Sequence, residues 1–444
     1  TKSAASQVGQ AVANAVFVEQ KHNHANNVNS LTTPKIPCRP TREFVLWLDM
    51  CHGRANADHF HHPYLSSLPS QAPNVMSWSQ EERDVLQGTT LAAAADQAVH
   101  ELVLQYHTWM PQLQQSHPTL FGTPTIARSS SSSSEDPNAI MKIATGLVAL
   151  LATAQANENA AHHGFGYQDL VWARGMYNSR RFPPVLLSSS TEKKLEEKVH
   201  AGNDEDENDD EKVGILLPVL DLLNHAPNQP ITWSGDPSSQ TVSFVAAGNS
   251  TALIKCGSEI YNNYGPKSNQ SLMLSYGFAL EDNVHDCYDL HLVLMTKTRE
   301  TGDTLERRSL GTFSIHRLES PLHPQFPPAL WNALNEMFVE DTNEEENTKD
   351  DNPGENRTSK NGEGSHVCDN DDNDEEPVVE IGLEAIELLL QTLESRIQPF
   401  RATQTRDARC DTDVARYRNG QRVVLEEAMK TLQEMIPPEE NEED

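Results

Sequence analysis

The stretch that decides the reading is GSEIYNNYGPKSNQSLMLSYGF, residues 257–278. It holds three tyrosines, Tyr261, Tyr264 and Tyr276, and the last two are each followed by glycine (Gly265 and Gly277). Glycine permits positive φ or close approach of another backbone, so the segment reads as tight connections around aromatic side chains. Tyrosine pairs a large apolar ring with a hydroxyl that needs a partner when buried, which fits a packed core as well as a site. Working outward, LLPVLDLLNHAPN (216–228) is a buried-looking apolar run, VLDLL, that ends in Asn224-His225 and then Pro227. An amide and an imidazole at a strand or turn end present donors and acceptors to a polar ligand; a plain turn after a core strand explains the pair equally. Further upstream, WARGMYNSRRFP (172–183) ends a helical pattern in Arg180 and Arg181. Arginine there suits bidentate binding of a carboxylate, or is simply a surface helix end.

Composition bounds the function. The chain has 444 residues, room for two domains, and a formal net charge of -31. Much of that charge sits in two runs, about 192–212 and 341–377. Such runs bury too little apolar surface to offset the entropy of ordering, so disordered acidic loops are expected at about 188–213 and 341–377. Acidity of this kind argues against nucleic acid as a partner, since phosphate binding needs clustered Lys and Arg. The six cysteines are widely spaced with no C-x-x-C pair, which points to a reducing compartment rather than a disulfide framework. The most apolar stretch, Ile143–Ala156, is too short to span a bilayer and reads as a core helix. No signal peptide is visible. The histidine-rich patch His52, His59, His61 and His62 lacks a ligand spacing typical of zinc, so no metal is expected.

Along the chain, helical periodicity marks 42–54, 90–122 and 138–182, and Ser79 with Glu82 forms a capping-box signature. From 213 to 296 the pattern changes to short apolar runs broken by Gly, Asn and Pro, read as strands and turns. From about 325 amphipathic helices return.

Taken together, HPYLSSLP, MSWSQEERDVLQGT, SRRF, LLPVLDLLNHAP and GSEIYNNYGPKSNQSLMLSYGF resemble the SET-domain methyltransferases of the Rubisco large-subunit methyltransferase-like branch, and RYRNGQRVVLEEAMKTL resembles that branch's helical substrate-binding domain. The resemblance implies an α+β fold: a SET β-fold over 1–300 with a helical insertion at about 45–185, then an all-α domain over 301–444. It implies a protein-lysine N-methyltransferase that uses S-adenosyl-L-methionine and acts on a lysine side chain of a protein. By motif, Asn224, His225 and Arg180 match cofactor-binding positions, and Tyr264 matches the tyrosine at the methyl-transfer centre. Asp221, Tyr276, Phe278 and Phe182 match the substrate side. An aromatic at Phe182 is similar to lysine-directed members, whereas the actin-histidine branch carries a polar residue there. The family's G-x-G strand is not found upstream of Arg42; its spacing places it before Thr1, and the expectation is that the chain is part of a longer protein. A histidine methyltransferase and a non-catalytic SET-fold interaction protein are the competing readings. A monomer without membrane or nucleic-acid partners is expected, located in cytoplasm or nucleus, with a plastid also compatible.

Overall fold

A computed structural model describes residues 6–15, 39–122, 165–187, 213–246 apart from 228, 230, 237 and 240, then 256–297, 305–337 apart from 336, 381–401 and 411–437. The expected acidic loops and the apolar stretch 143–156 lie outside the described residues. The chain is α+β and divides into two compact units, Thr1–Asn283 with Gln404–Tyr417, and Val284–Thr403 with Arg418–Asp444.

The first unit is built on helices. After α1 (Gln7–Asn14), α2 (Arg42–Ala55) starts at Thr41, whose hydroxyl accepts from the Phe44 N–H, a side-chain cap for an otherwise orphan donor. Phe44, Trp47, Leu48 and Cys51 of α2 are buried, at the i, i+3, i+4, i+7 spacing of one helix face. The short α3 (His62–Ser67) follows, anchored by buried Leu65 and by a His62 Nδ1 contact of 3.0 Å to the Gly53 carbonyl. The Ser79–Glu82 capping box opens α4 (Gln80–Asp84). Next, α5 (Thr90–Ser116) is capped by Thr89 and buries Leu91, Ala95, Leu102, Met110 and Leu113. The periodic run expected through 122 breaks at His117, and α6 (Pro118–Phe121) begins anew, because the ring of Pro118 drives the preceding residue out of helical geometry. In α7 (Tyr167–Arg180), Leu170, Ala173, Met176 and Tyr177 are buried, and the helix ends by delivering Arg180 to the site. The main core of this unit gathers α1, α2, α5 and α7.

Two small antiparallel pairs complete it. β1 (Arg181–Phe182) pairs with β2 (Ile215–Leu216), and β3 (Ile231–Asp236) with β4 (Thr241–Ala246), with Trp233 opposite Phe244. The run 218–223 is not a buried strand. It contains a 3-10 turn, Leu220–Leu222, in which Val219 is 71 % and Leu222 62 % exposed while Asp221 is buried. Its apolar letters imitated a core strand, but a single turn can aim only one side chain inward, and here that side chain is the aspartate. Finally α8 (Asn269–Tyr276) is capped by Ser268 and stops at Gly277.

The second unit opens with a long hairpin, β5 (Cys287–Lys297) and β6 (Leu305–His316), with a register shift at Leu292/Val293. Tyr288, Leu290 and Ile315 of the hairpin share a core with Leu330, Leu334, α9 (Leu383–Arg401) and the later part of α10 (Asp411–Met435). Strand alternation reveals one apolar face but not which core it serves, so the hairpin's place in this unit had no signature in the sequence. After it, every described element of this unit is helical.

Candidate functional site

Two loops cross to make the site. The Asn262 N–H donates to the Asn224 carbonyl at 2.8 Å, the Ala226 N–H donates to the Asn262 carbonyl at 3.1 Å, and His225 and Asn262 form a parallel bridge. The crossing is tied further by Tyr264: its N–H donates to His225 Nδ1 at 3.1 Å and its hydroxyl donates to the Leu223 carbonyl at 2.8 Å. An Nδ1 that accepts a hydrogen bond holds no proton, so the imidazole is in its neutral, Nε2-protonated form. Burial lowers the His225 pKa, and the nearby Lys267 cation acts in the same direction against a backbone contact to Asn262.

Aromatic rings stack on this crossing. The His225 ring lies 5.0 Å from that of Tyr264 at 21°, and Tyr264 lies 4.6 Å from Tyr276 at 24°. Phe278 sits 6.1 Å from both His225 and Tyr276. Its approach depends on Gly277, which closes α8 at φ 79° and whose added Cβ would stand 2.0 Å from the Pro73 carbonyl oxygen. Beyond it, buried Asn269 grips the Leu280 backbone at both ends, accepting from its N–H at 2.8 Å and donating to its carbonyl at 3.0 Å. Burial raises the Tyr264 pKa and pushes that of Tyr276 up to about 12, so both hydroxyls remain protonated donors at neutral pH.

A narrow cleft is lined by Arg180, Phe182, Asp221, Trp233, Tyr264 and Tyr276 among others. Phe182 meets the Trp233 ring edge-on at 5.3 Å, and Trp233 is pinned by its Nε1–H donating to Asn262 Oδ1 at 2.8 Å. At the polar end the Asp221 side chain is fully buried. Its Oδ2 accepts from the Tyr64 hydroxyl at 2.5 Å and lies 3.8 Å from Arg180 Nη1, which also donates to the Asp221 carbonyl at 3.0 Å. Among the described residues, Asp221 Oδ1 and Arg180 Nε are buried without a hydrogen-bond partner. A buried carboxylate oxygen left unpaired costs on the order of 1–3 kcal/mol or more, so Oδ1 is an acceptor with capacity for a donor. The turn that carries Asp221 is itself strained: Val219 takes φ 78°, a left-handed conformation that costs a β-branched residue about 1–3 kcal/mol.

The structure therefore brings Arg180, Phe182, Asp221, His225, Tyr264, Tyr276 and Phe278 into one neighbourhood. Asn224 stands apart, exposed, with its amide donating to Glu259 at 2.7 Å. Tyr64, Trp233, Asn262 and Asn269 were missed as site residues. Tyr64 and the two asparagines lie inside quoted motifs, whereas Trp233 had no signal beyond lying on an alternating strand. The histidine patch gathers no metal site: among the described residues no group of three or more His, Cys, Asp or Glu is arranged to hold an ion. His59 instead approaches Asp49 at 3.6 Å and His52 stacks on Phe165. No helix among the described residues is long and apolar enough to cross a membrane.

The SET domain of Rubisco LSMT, solved with lysine and AdoHcy, superposes with a TM-score of 0.54 over 98 % of this chain and 78 % of that one, at 15 % identity. The chain carries a SET fold of the Rubisco LSMT type. A second solved structure, Rubisco LSMT with AdoMet, matches at a TM-score of 0.51 and 15 % identity, covering 88 % of this chain and 74 % of that one. No family model matches. The ribosomal lysine N-methyltransferase set10 of Schizosaccharomyces pombe is 41 % identical over 131 residues, 29 % of this chain and 20 % of that protein. The protein-lysine N-methyltransferase EFM1 of Saccharomyces cerevisiae is 25 % identical over 302 residues, 64 % of this chain and 46 % of that protein. The actin-histidine N-methyltransferase of Mus musculus is 23 % identical over 285 residues, 61 % and 36 % of the two chains. The matches thus span less than half the length of each of these three relatives.

Proposed function

We propose that this SET-fold chain belongs to an S-adenosylmethionine-dependent protein-lysine N-methyltransferase, and one observation carries the reading. An aromatic slot (Phe182, Trp233, Tyr264, Tyr276) ends on a buried carboxylate whose Oδ1 has no hydrogen-bond partner among the described residues. A lysine side chain has the matching form, an apolar stem with a nitrogen donor at its tip. Desolvation of the stem, and the positive sulfonium that a bound cofactor would bring, favour the neutral amine that methyl transfer requires, against the Asp221 carboxylate, which favours the ammonium. Tyr264, protonated and fixed by the Leu223 carbonyl, orients the amine and does not remove its proton. Tyr276 and Phe278 exclude water at one side, and Asp221 accepts a hydrogen bond from the amine at the other.

The residues fit the cofactor by their chemistry. The neutral His225 imidazole and the Phe278 ring suit a nucleoside, with the Asn224 amide available only if it leaves Glu259, and Arg180 Nε, without a hydrogen-bond partner among the described residues, suits a carboxylate. When bound, S-adenosylmethionine supplies a methyl group on a sulfonium sulfur, an electrophile strong enough that the protein's task is alignment and exclusion of water. The named activities of set10 and EFM1 agree with lysine as acceptor. Phe182, an aromatic edge with no hydrogen-bonding group, gives an imidazole substrate nothing to pair with and favours lysine over histidine. We read the protein as an intracellular monomer acting on other proteins.

The test is incubation of the purified chain with methyl-labelled S-adenosylmethionine and two acceptors, yeast ribosomal-protein extract and actin, followed by mass spectrometry of the labelled site. Label on lysine is expected. Label confined to histidine overturns the lysine reading, and absence of both label and calorimetric cofactor binding supports a non-catalytic interaction protein.

A further inference from the structure

We propose that Tyr64 is a positioning residue for the amine acceptor, holding the Asp221 carboxylate so that Oδ2 is occupied and Oδ1 alone is presented to the cleft. This rests on the methyltransferase reading above and adds a residue to it from outside the crossed loops. Tyr64 is carried by α3, 157 residues before Asp221 in sequence, and reaches Oδ2 at 2.5 Å. The helix that carries it is fixed independently of the site, by Leu65 in the core and by the His62 contact to Gly53. The turn that carries Asp221 places its backbone, through the Asp221 N–H on the Leu217 carbonyl at 3.2 Å, but does not by itself fix the carboxylate. That turn starts from Val219 at φ 78°, and both Val219 and Leu222 are exposed, so little packing defends it. Two groups from elsewhere in the unit do the holding: Arg180, through the Asp221 carbonyl at 3.0 Å, and Tyr64, through the carboxylate itself. Arg180 is 3.8 Å from Oδ2, too long for a hydrogen bond, so among the described residues it is the hydroxyl that fixes the rotation of the carboxylate plane. Burial, reinforced by Asp221 itself, raises the Tyr64 pKa; the hydroxyl therefore stays a donor over the whole range in which an enzyme of this kind works.

The consequence is a division of labour. Without the Tyr64 hydroxyl the carboxylate has two equivalent free oxygens, its plane is no longer fixed, and it presents no set acceptor to the slot. Acceptor binding suffers, while cofactor binding, which involves neither group, does not. The experiment measures initial rates for the whole chain, as wild type, Tyr64→Phe, Asp221→Asn and the double variant, with yeast ribosomal-protein extract and S-adenosylmethionine each varied in turn. Tyr64→Phe keeps the ring and its packing. The expected result is an apparent KM for the extract raised about tenfold, equivalent to about 1.4 kcal/mol, an unchanged KM for S-adenosylmethionine, and no further loss when Tyr64→Phe is added to Asp221→Asn. A purely structural tyrosine would instead lower stability and rate in both backgrounds, so multiplicative effects overturn the proposal. A Tyr64→Phe enzyme equal to wild type, or one whose KM values for both substrates rise together, also overturns it. Should Tyr64→Phe be poorly folded, Tyr64→Trp and a thermal melt supply the comparison, with the same non-additivity against Asp221→Asn required. A wild-type chain that labels neither the extract nor actin fails at the activity reading itself and takes this inference with it; an active wild type with an indifferent Tyr64 sinks this inference alone.

Discussion

The helical scaffold of the first unit and the crossed loops of its site are held in opposite ways. In α2, α5 and α7 the fixed side chains are apolar and fully buried: Leu48, Leu102, Leu170 and Met176 are all at 0 % exposure. In the crossing of 218–226 with 259–265, the ties are hydrogen bonds and stacked rings, with Val219, Leu222 and Ile260 left in solvent. Burial is non-directional and tolerates sliding, whereas a hydrogen bond fixes an atom to within a few tenths of an ångström. A site that must aim one carboxylate oxygen and one hydroxyl needs the second kind of tie and rests on the first. It follows that damage to the scaffold should appear as lost stability and damage to the crossing as lost activity.

The largest effect expected is on the scaffold. Leu170→Ala in α7 should destabilise the protein by about 2–5 kcal/mol, the usual cost of an unfilled core cavity, read as a lowered denaturant midpoint. At temperatures where the variant remains folded, its KM values should match wild type. Next, Tyr264→Phe should reduce turnover by about 100-fold, roughly 2.7 kcal/mol in the barrier. It should lower stability by only about 1 kcal/mol, the net worth of its bond to the Leu223 carbonyl. Calorimetry should show cofactor affinity nearly unchanged. If Tyr264→Phe loses stability as Leu170→Ala does, the two regions are not built on different principles.

The same contrast governs what could be read from the sequence. Helix α2 is legible because apolar residues at 44, 47, 48 and 51 can share only a helix face, and the Ser79–Glu82 box announces the start of α4. Tyr264, His225 and Asp221 were legible through their order and company in the motifs. The part of the site made by distant contact was not: nothing local links Tyr64 to Asp221, or Trp233 to Asn262. Periodicity even misled at VLDLL, where an apolar run is an exposed strained turn. Sequence patterns report which face is apolar, and the crossing has no such face.

A smaller, pH-dependent effect sharpens the comparison further. The pKa of His225 is lowered by burial and by Lys267, so the folded state takes up its proton at lower pH than the unfolded chain does. Above about 6.5, the usual histidine value, the ring is neutral in both states and contributes nothing. As pH falls below that value the unfolded chain is protonated first, stability declines, and the decline levels off once the folded ring also titrates. His52, His107, His285 and His316 are shifted in the same direction, so the wild-type slope is shared. The expected outcome is a shallower loss of stability between pH 7 and 5 for His225→Gln than for wild type, followed by chemical denaturation. Equal slopes would mean that burial does not lower the His225 pKa in the folded state.

The smallest change tests whether strain in the crossing has a purpose. Val219→Gly removes a β-branched side chain from φ 78° at a position 71 % exposed, so almost no packing is lost. Relief of about 1–3 kcal/mol of strain is offset by about 0.5–1 kcal/mol from the freer unfolded glycine, and a net gain of about 1 kcal/mol in stability is expected. Activity should move the other way. A glycine at 219 lets the 3-10 turn relax, and the Asp221 carboxylate, held through Tyr64 and Arg180 but no longer forced inward by its own backbone, loses some of its aim. The apparent KM for the acceptor should rise about twofold to threefold, less than half of a tenfold step on the free-energy scale, with the cofactor KM unchanged. A variant that is more stable and equally active would show that the strain is incidental. A variant that is more stable and less active would show that the turn stores energy to point one carboxylate, which the scaffold helices, held by burial alone, have no means of doing.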